Sequence, residues 1–229
     1  REAYAAYRDG DGGQVMVGFN RRFAPLTQDL VKHFADAQSP LVINIRINAG
    51  AIPADHWIQD PEMGGGRMIG EGCHFVDLAS AICRSNPSRV CTIGTAKPNT
   101  AALLNDNLAI SLNFENGSIA NIIYTADGSK AMPKEYVEVF GAGRSAVLRD
   151  FRELQLYEGE TKATRKKLRA QDKGQEAMLT AWLEGLRNDA PCIEYECLMK
   201  TSLATVMAIE SLAIGMPMAV DISVLTQGE

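Results

Sequence analysis

Histidine is scarce in this chain. Only three occur in 229 residues, so any imidazole chemistry rests on His33, His56 or His74. The five cysteines, Cys73, Cys83, Cys91, Cys192 and Cys197, are odd in number and lack any CxxC spacing. That excludes a zinc-thiolate site and a disulfide framework, and leaves Cys as a small hydrophobe in a reducing cytoplasm. A long run of basic charge is missing and the formal net charge is −5, which argues against nucleic acid and anionic membrane as partners. No apolar run of membrane-span length, no signal peptide and no internal repeat is evident.

What remains is ordinary globular material, with 46% hydrophobic and 22% charged residues, enough for one good core in one or two domains. Residues 1–9 read as the end of a helix, and 14–19 as a short apolar strand between turn signals. Pro25 opens a helix running to about Ala37. Residues 41–48 alternate cleanly, with Leu41, Ile43, Ile45 and Ile47 on one face and Val42, Asn44, Arg46 and Asn48 on the other. A long loop, 49–66, leads to a glycine-started helix over 68–84, and loops of that length are usually functional.

Strands follow at about 89–96, 107–114, 118–126, 135–140, 145–151 and 154–157. Asn116-Gly117 marks a hairpin. Residues 161–173 are polar and basic and read as a mobile, lid-like segment. Two helices close the pattern, 175–187 and 196–214, the second stopped by Gly215 and Pro217. Hairpins in a row followed by paired helices predict an α+β fold, a mostly antiparallel open sheet with helices on one face.

The stretch from Gly64 to Asp77 is the strongest chemical signal. Three glycines allow close backbone approach, and Glu71, His74 and Asp77 recur every third residue, on roughly one helix face. An imidazole flanked by carboxylates suits proton transfer near neutrality. The competing reading is a core or capping histidine, with Asp77 tying helix to sheet. A metal on Glu71 and His74 lacks a second ligand pair, so no metal is expected. Asn20, Arg21 and Arg22 end an apolar strand, where they meet cofactor phosphate, substrate or an opposing acid. Trp57 offers a stacking face, and Arg46 sits on the polar sheet face for substrate or a partner subunit. Gly141-Ala142-Gly143-Arg144-Ser145-Ala146 imitates a dinucleotide fingerprint, but strand follows it rather than helix, so it reads as a hairpin turn.

In order along the chain, Val17-Gly18-Phe19-Asn20-Arg21-Arg22-Phe23, Asn48-Ala49-Gly50 with Asp55-His56-Trp57 and Asp60-Pro61, the triple-glycine helix through His74 and Asp77, and Glu138-Val139-Phe140-Gly141 resemble the Gfo/Idh/MocA oxidoreductase family. Within it, the resemblance is to the subgroup of bi-domain, alcohol-dehydrogenase-like proteins. The resemblance covers about residues 14–220 and implies a glyceraldehyde-3-phosphate-dehydrogenase-like C-terminal domain over 21–229. Residues 1–20 would then be the last helix and strand of a Rossmann domain not contained in this sequence. It further implies a cytoplasmic NAD- or NADP-dependent enzyme acting on a hydroxyl of a sugar, sugar nucleotide or cyclitol. In that enzyme His74 moves the proton with Glu71, Arg46, Trp57 and Asp77 touch substrate, and Asn20, Arg21 and Arg22 touch the cofactor. The dinucleotide would be bound mainly by the absent N-terminal half, so this chain alone would be inactive. Homo-oligomers would form through the open sheet face. The family's acid four residues before the histidine is Gly70 here, with Glu71 one place later. The alternative is a non-catalytic ligand-binding or oligomerisation module.

Overall fold

The strand Val42–Asn48 (β1) is the centre of the architecture, because every other strand is laid down on one side of it or the other. The computed structural model describes residues 5–7, 10, 13–53, 55–60, 62–95 and 106–225. One nine-stranded sheet has the order β8-β7-β6-β5-β1-β4-β3-β2-β9. On one side of β1 lie Pro87–Gly94 (β2), Leu108–Phe114 (β3) and Ile119–Thr125 (β4), with Met218–Ala219 (β9) at the edge. On the other lie Glu135–Gly141 (β5), Arg144–Arg149 (β6), Glu153–Glu158 (β7) and Thr164–Lys167 (β8). All pairs are antiparallel except β1 with β4.

The alternation in β1 has the predicted consequence. Leu41, Ile43, Ile45 and Ile47 are buried, as are Ile110 and Leu112 on β3, Ala120 and Ile122 on β4, and Val137 and Val139 on β5. Helices Pro25–His33 (α1), Cys73–Cys83 (α2) and Tyr195–Ile214 (α4) cover this face and share its core. The opposite face carries Val42, Ser111, Asn113, Ile119, Asn121, Ile123 and Phe140 in the open. Helix Gln175–Asn188 (α3) packs beside the turn at Asn20–Phe23 instead.

Several expectations change. Residues 13–19 have no sheet partner, since the neighbour that an isolated apolar strand needs is not supplied by any strand described here. The segment 161–173 is not a lid: Thr164–Lys167 pairs with β7 from Leu156 to Glu153, and its charged residues suit an exposed sheet edge. The apolar stretch at α4 has mean hydropathy 1.4 over a span-length window, more than the sequence reading allowed. Leu198, Leu203, Ala204 and Ala208 nonetheless face the core, and Ser211 Oγ accepts from the Thr92 amide at 3.0 Å. The forecast helix over 1–9 is described only at 5–7, which is helical, and Ala96 and Pro61 lie outside the described residues. The glycine-rich run at 141–146 is the β5–β6 hairpin, turned by Ala142 and Gly143 at positive φ.

Candidate active site

Register at the C-terminal end of β1 builds the site. Ile47 lies between Tyr124 of β4 and Glu135 of β5. Both partners occupy inward-facing positions, so a phenol and a carboxylate point toward the helix layer where an aliphatic side chain is the norm. The helix leading to α2 meets them there. Met68–Gly72 forms a π-helical turn before α2, and such turns recur at functional sites. The preceding glycines act on their own loop: Gly65 and Gly66 have φ +64 and +84, and a Cβ on Gly64 would stand 2.6 Å from the Trp57 carbonyl oxygen. Close backbone approach is real here, and it is to the loop.

Around this junction lies a cavity of about 390 Å³ bounded by Arg21, Ala49, Ile52, His56, Ile58, Arg67, Gly70, Glu71, His74 and Lys134. Glu71 is its electrostatic hub. Its Oε2 accepts from the Tyr124 hydroxyl at 2.5 Å and from Arg67 Nη2 at 3.4 Å, while Oε1 accepts from Lys134 Nζ. Arg67 also donates to Tyr124 Oη at 2.7 Å and to the Gly50 carbonyl at 3.1 Å. Burial alone would raise the Glu71 carboxyl, but the Lys134 and Tyr124 hydrogen bonds hold it below the usual carboxylate range. The Tyr124 phenol is driven far above its ordinary value by burial and by Glu71, so it stays a hydrogen-bond donor.

Arg21 forms the inner wall. Its Nε and Nη2 bond Glu135 at 2.8 and 3.1 Å, its guanidinium lies 4.6 Å over the Phe75 ring, and Lys173 Nζ reaches the same Glu135 at 2.5 Å. Glu135 is pulled below its ordinary value by these two cations against a large burial penalty. His74 faces the cavity with its Nδ1 buried and without a hydrogen-bond partner, and Phe19 meets the ring edge-on at 5.8 Å. Burial, reinforced by Arg21, lowers the imidazole to about 4. The ring is therefore neutral at pH 7, with a free acceptor nitrogen but a weaker base than an exposed imidazole.

Of the residues singled out in the sequence, His74, Glu71 and Arg21 meet at this cavity, and His56 also lines it. The others do not. Asp77 is buried and held by Arg22, whose Nη2 and Nε donate at 2.5 and 3.0 Å. Burial pushes Asp77 up to about 6, still ionised at pH 7 beside its guanidinium partner. Three residues down the helix, Asp77 thus faces the Asn20–Phe23 turn rather than the cleft. Asn20 Nδ2 donates to the Lys173 carbonyl at 2.8 Å, so Asn20 and Arg22 are bound inside the domain. Arg46 is on the open sheet face, donating to the Pro133 carbonyl at 2.7 Å and standing over Tyr136. Trp57 is 58% exposed, tilted against His56 outside the cavity wall. Glu71 makes no hydrogen bond to His74; its oxygens are taken by Lys134, Tyr124 and Arg67. Sequence reasoning missed Arg67, Tyr124, Lys134, Glu135 and Lys173. The detectable signal was an acid and a tyrosine in the inward register of otherwise aliphatic strands.

Comparison with known proteins gives three findings. Residues 39–147 match the family profile described as the GFO/IDH/MocA C-terminal domain. No curated protein sequence matches the chain. Solved structures match its fold over nearly its whole length. An aldose-aldose oxidoreductase from Caulobacter crescentus, complexed with glycerol, superposes with TM-score 0.76 at 17% identity over 95% of this chain and 67% of that one. A UDP-N-acetylglucosamine 3-dehydrogenase from Acidithiobacillus ferrooxidans gives 0.72 at 16%, covering 93% and 65%. A super-repressor mutant of Gal80p from Saccharomyces cerevisiae gives 0.76 at 14%, covering 96% and 68%. The chain thus spans about two thirds of the length of these structures.

Proposed function

This chain carries the C-terminal domain of the Gfo/Idh/MocA oxidoreductase family, and from that premise we propose that the whole protein oxidises or reduces a hydroxyl-bearing carbon of a sugar, sugar nucleotide or cyclitol with NAD or NADP. Residues 1–20 would be the end of a Rossmann domain and 21–229 the substrate and oligomerisation domain. The only glycine-rich turn of dinucleotide type in the sequence is the β5–β6 hairpin, so the residues described here do not cradle a pyrophosphate. The dinucleotide is assigned to the N-terminal half, where it supplies the hydride acceptor.

The work of this chain is then to hold the substrate and move one proton. A hydroxyl placed in the cavity loses its proton to the His74 imidazole as hydride leaves the adjacent carbon; in reduction the imidazolium returns it. The observation that carries this reading is a neutral, cavity-facing His74 whose Nδ1 has no internal partner. Ile52, Ile58 and Ala49 give the cavity apolar walls, and its volume suits a single small polar molecule. A cytoplasmic setting and a homo-oligomer through the open sheet face complete the proposal; that face mixes Asn44, Ser111 and Asn121 with exposed Val42, Ile123 and Phe140.

A second reading, a ligand-binding or assembly module without turnover, is favoured by one observation. Glu71 is engaged by Lys134, Tyr124 and Arg67 and leaves His74 without an orienting acid. The fold alone is neutral between the two, since it is shared with an oxidoreductase and with a repressor. Absorbance at 340 nm with the full-length protein, NAD or NADP and a panel of sugars, sugar nucleotides and cyclitols separates them. Cofactor-linked turnover of one panel member is expected; silence across the panel with both cofactors selects the module.

A further inference from the structure

The chain as a whole is acidic, yet its cavity is not. Four cations, Arg21, Arg67, Lys134 and Lys173, are joined in one ion-paired network with two carboxylates, Glu71 and Glu135, beside the separate Arg22–Asp77 pair. Two positive charges are left over. A further acid, Asp150, accepts from the Glu135 amide and makes no ion pair with these cations among the described residues. The surplus is not spread over solvent, for the side chains of Arg21 and Arg67 are 8% and 5% exposed. Burying uncompensated charge is costly, and a site that does so gains from an anion arriving.

Lys134 is the cation free to meet one. Its side chain is 35% exposed, it lies on the cavity wall, and its only ion-pair partner among the described residues is Glu71. Arg67 sits behind it with one Nη2 at a long 3.4 Å from the same carboxylate. His74 borders the same cavity, and a substrate held by Lys134 at one end presents a hydroxyl to the imidazole at the other.

We propose that the substrate carries an anionic group, a carboxylate or phosphate attached to the polyol, and that Lys134 with Arg67 binds it and sets specificity for charged over neutral sugars. This rests on the site assignment made above and adds the substrate class. The same anion chemistry resides in a dinucleotide's phosphates, so the test must tell these sources apart.

The test follows the His74 ring resonance, identified by its loss in His74→Asn, while the protein is titrated at low salt with glucuronate, glucose, glucose 6-phosphate, glycerol phosphate and NADH. The proposal expects glucuronate or one of the phosphates to bind at least about tenfold tighter than glucose. That preference falls below about threefold in Lys134→Met and is retained in Lys134→Arg, with unchanged circular dichroism in both. Equal binding of glucose and every anion overturns the proposal and leaves the oxidoreductase reading intact. A response to NADH alone, lost in Lys134→Met, overturns it by assigning the anion site to the cofactor. No response to any ligand, together with no cofactor-linked turnover, overturns the site assignment beneath it. If Lys134→Met does not fold, Lys134→Gln and the salt dependence of glucuronate binding decide: affinity that does not fall between 20 and 500 mM salt refutes a charge-based site.

Discussion

Replacing Glu135 by Gln isolates the electrostatic core of the site. The side chain is 1% exposed and accepts two bonds from Arg21 and one from Lys173. Glutamine keeps the shape and one carbonyl acceptor but removes the charge, and its NH2 puts a donor where the second oxygen faced a cation. Arg21, 8% exposed, would then be buried with only the 3.9 Å contact to Glu71 as an opposing charge. Removing one partner of a buried pair typically costs about 3–5 kcal/mol; with Gln still accepting one bond, the lower half of that range, about 3 kcal/mol, is expected. For a chain of this size each kcal/mol moves the melting midpoint by roughly 2–4 °C, so a fall of about 6–12 °C should appear. The assay is thermal and urea unfolding followed by circular dichroism at pH 7, with Glu115→Gln as control. Glu115 pairs with Lys200 at an exposed position, and its loss should cost under about 1 kcal/mol. Equal, small effects of the two substitutions would refute the claim that Arg21 depends on Glu135.

Three further outcomes follow. Gly174 begins α3 at φ +83 with a Cβ position 2.6 Å from the Asn20 carbonyl oxygen, so Gly174→Ala should destabilise by more than about 1 kcal/mol in urea unfolding; a neutral effect would mean the contact relaxes freely. The His74 ring should titrate at about 4 in the free protein. Because that lies below the unfolded value near 6.5, His74 contributes stability above about pH 6.5 that is lost as pH falls toward 4. Glu71 and Glu135, both lowered, act in the same direction, and Asp77, raised to about 6, opposes them between about pH 4 and 6. A ring titration near 6.5 by NMR would refute the burial account. Asn44→Glu with Ser111→Glu places charges on the open face, the first opposite Glu138 in register; light scattering should show dissociation with unchanged circular dichroism, and an unaltered mass would refute assembly through that face.

The fold was legible because its strongest signals are periodic. Alternation in Leu41–Asn48, the Asn116-Gly117 turn and the Gly215-Pro217 stop each describe a local choice that the tertiary structure keeps. The parallel pairing of β1 with β4 was not legible, since it joins residues some eighty positions apart and leaves no mark on either strand. The edge strand Thr164–Lys167 was missed for a related reason: strands at a sheet edge are built from the charged residues that otherwise mark loops. At the site, spacing located His74 and Glu71 but misread their relation. An i, i+3 rule presumes regular α-helix, and the π turn at Met68–Gly72 interrupts it. Asp77 followed the helix away from the cavity to Arg22. Tyr124 on β4 and Glu135 on β5, with Lys134 just before it, reach Glu71 and His74 only through the register with Ile47, so no local window holds them together with the helix residues.

The central claim is that His74 moves the proton during hydride transfer. Single-turnover reduction of NAD or NADP by the best panel substrate, in the full-length protein and in His74→Asn, tests it most directly. Loss of about 10²–10⁴-fold in the transfer rate, with substrate affinity changed by under about threefold, is the predicted result. A His74→Asn protein that transfers hydride at the parent rate would contradict it.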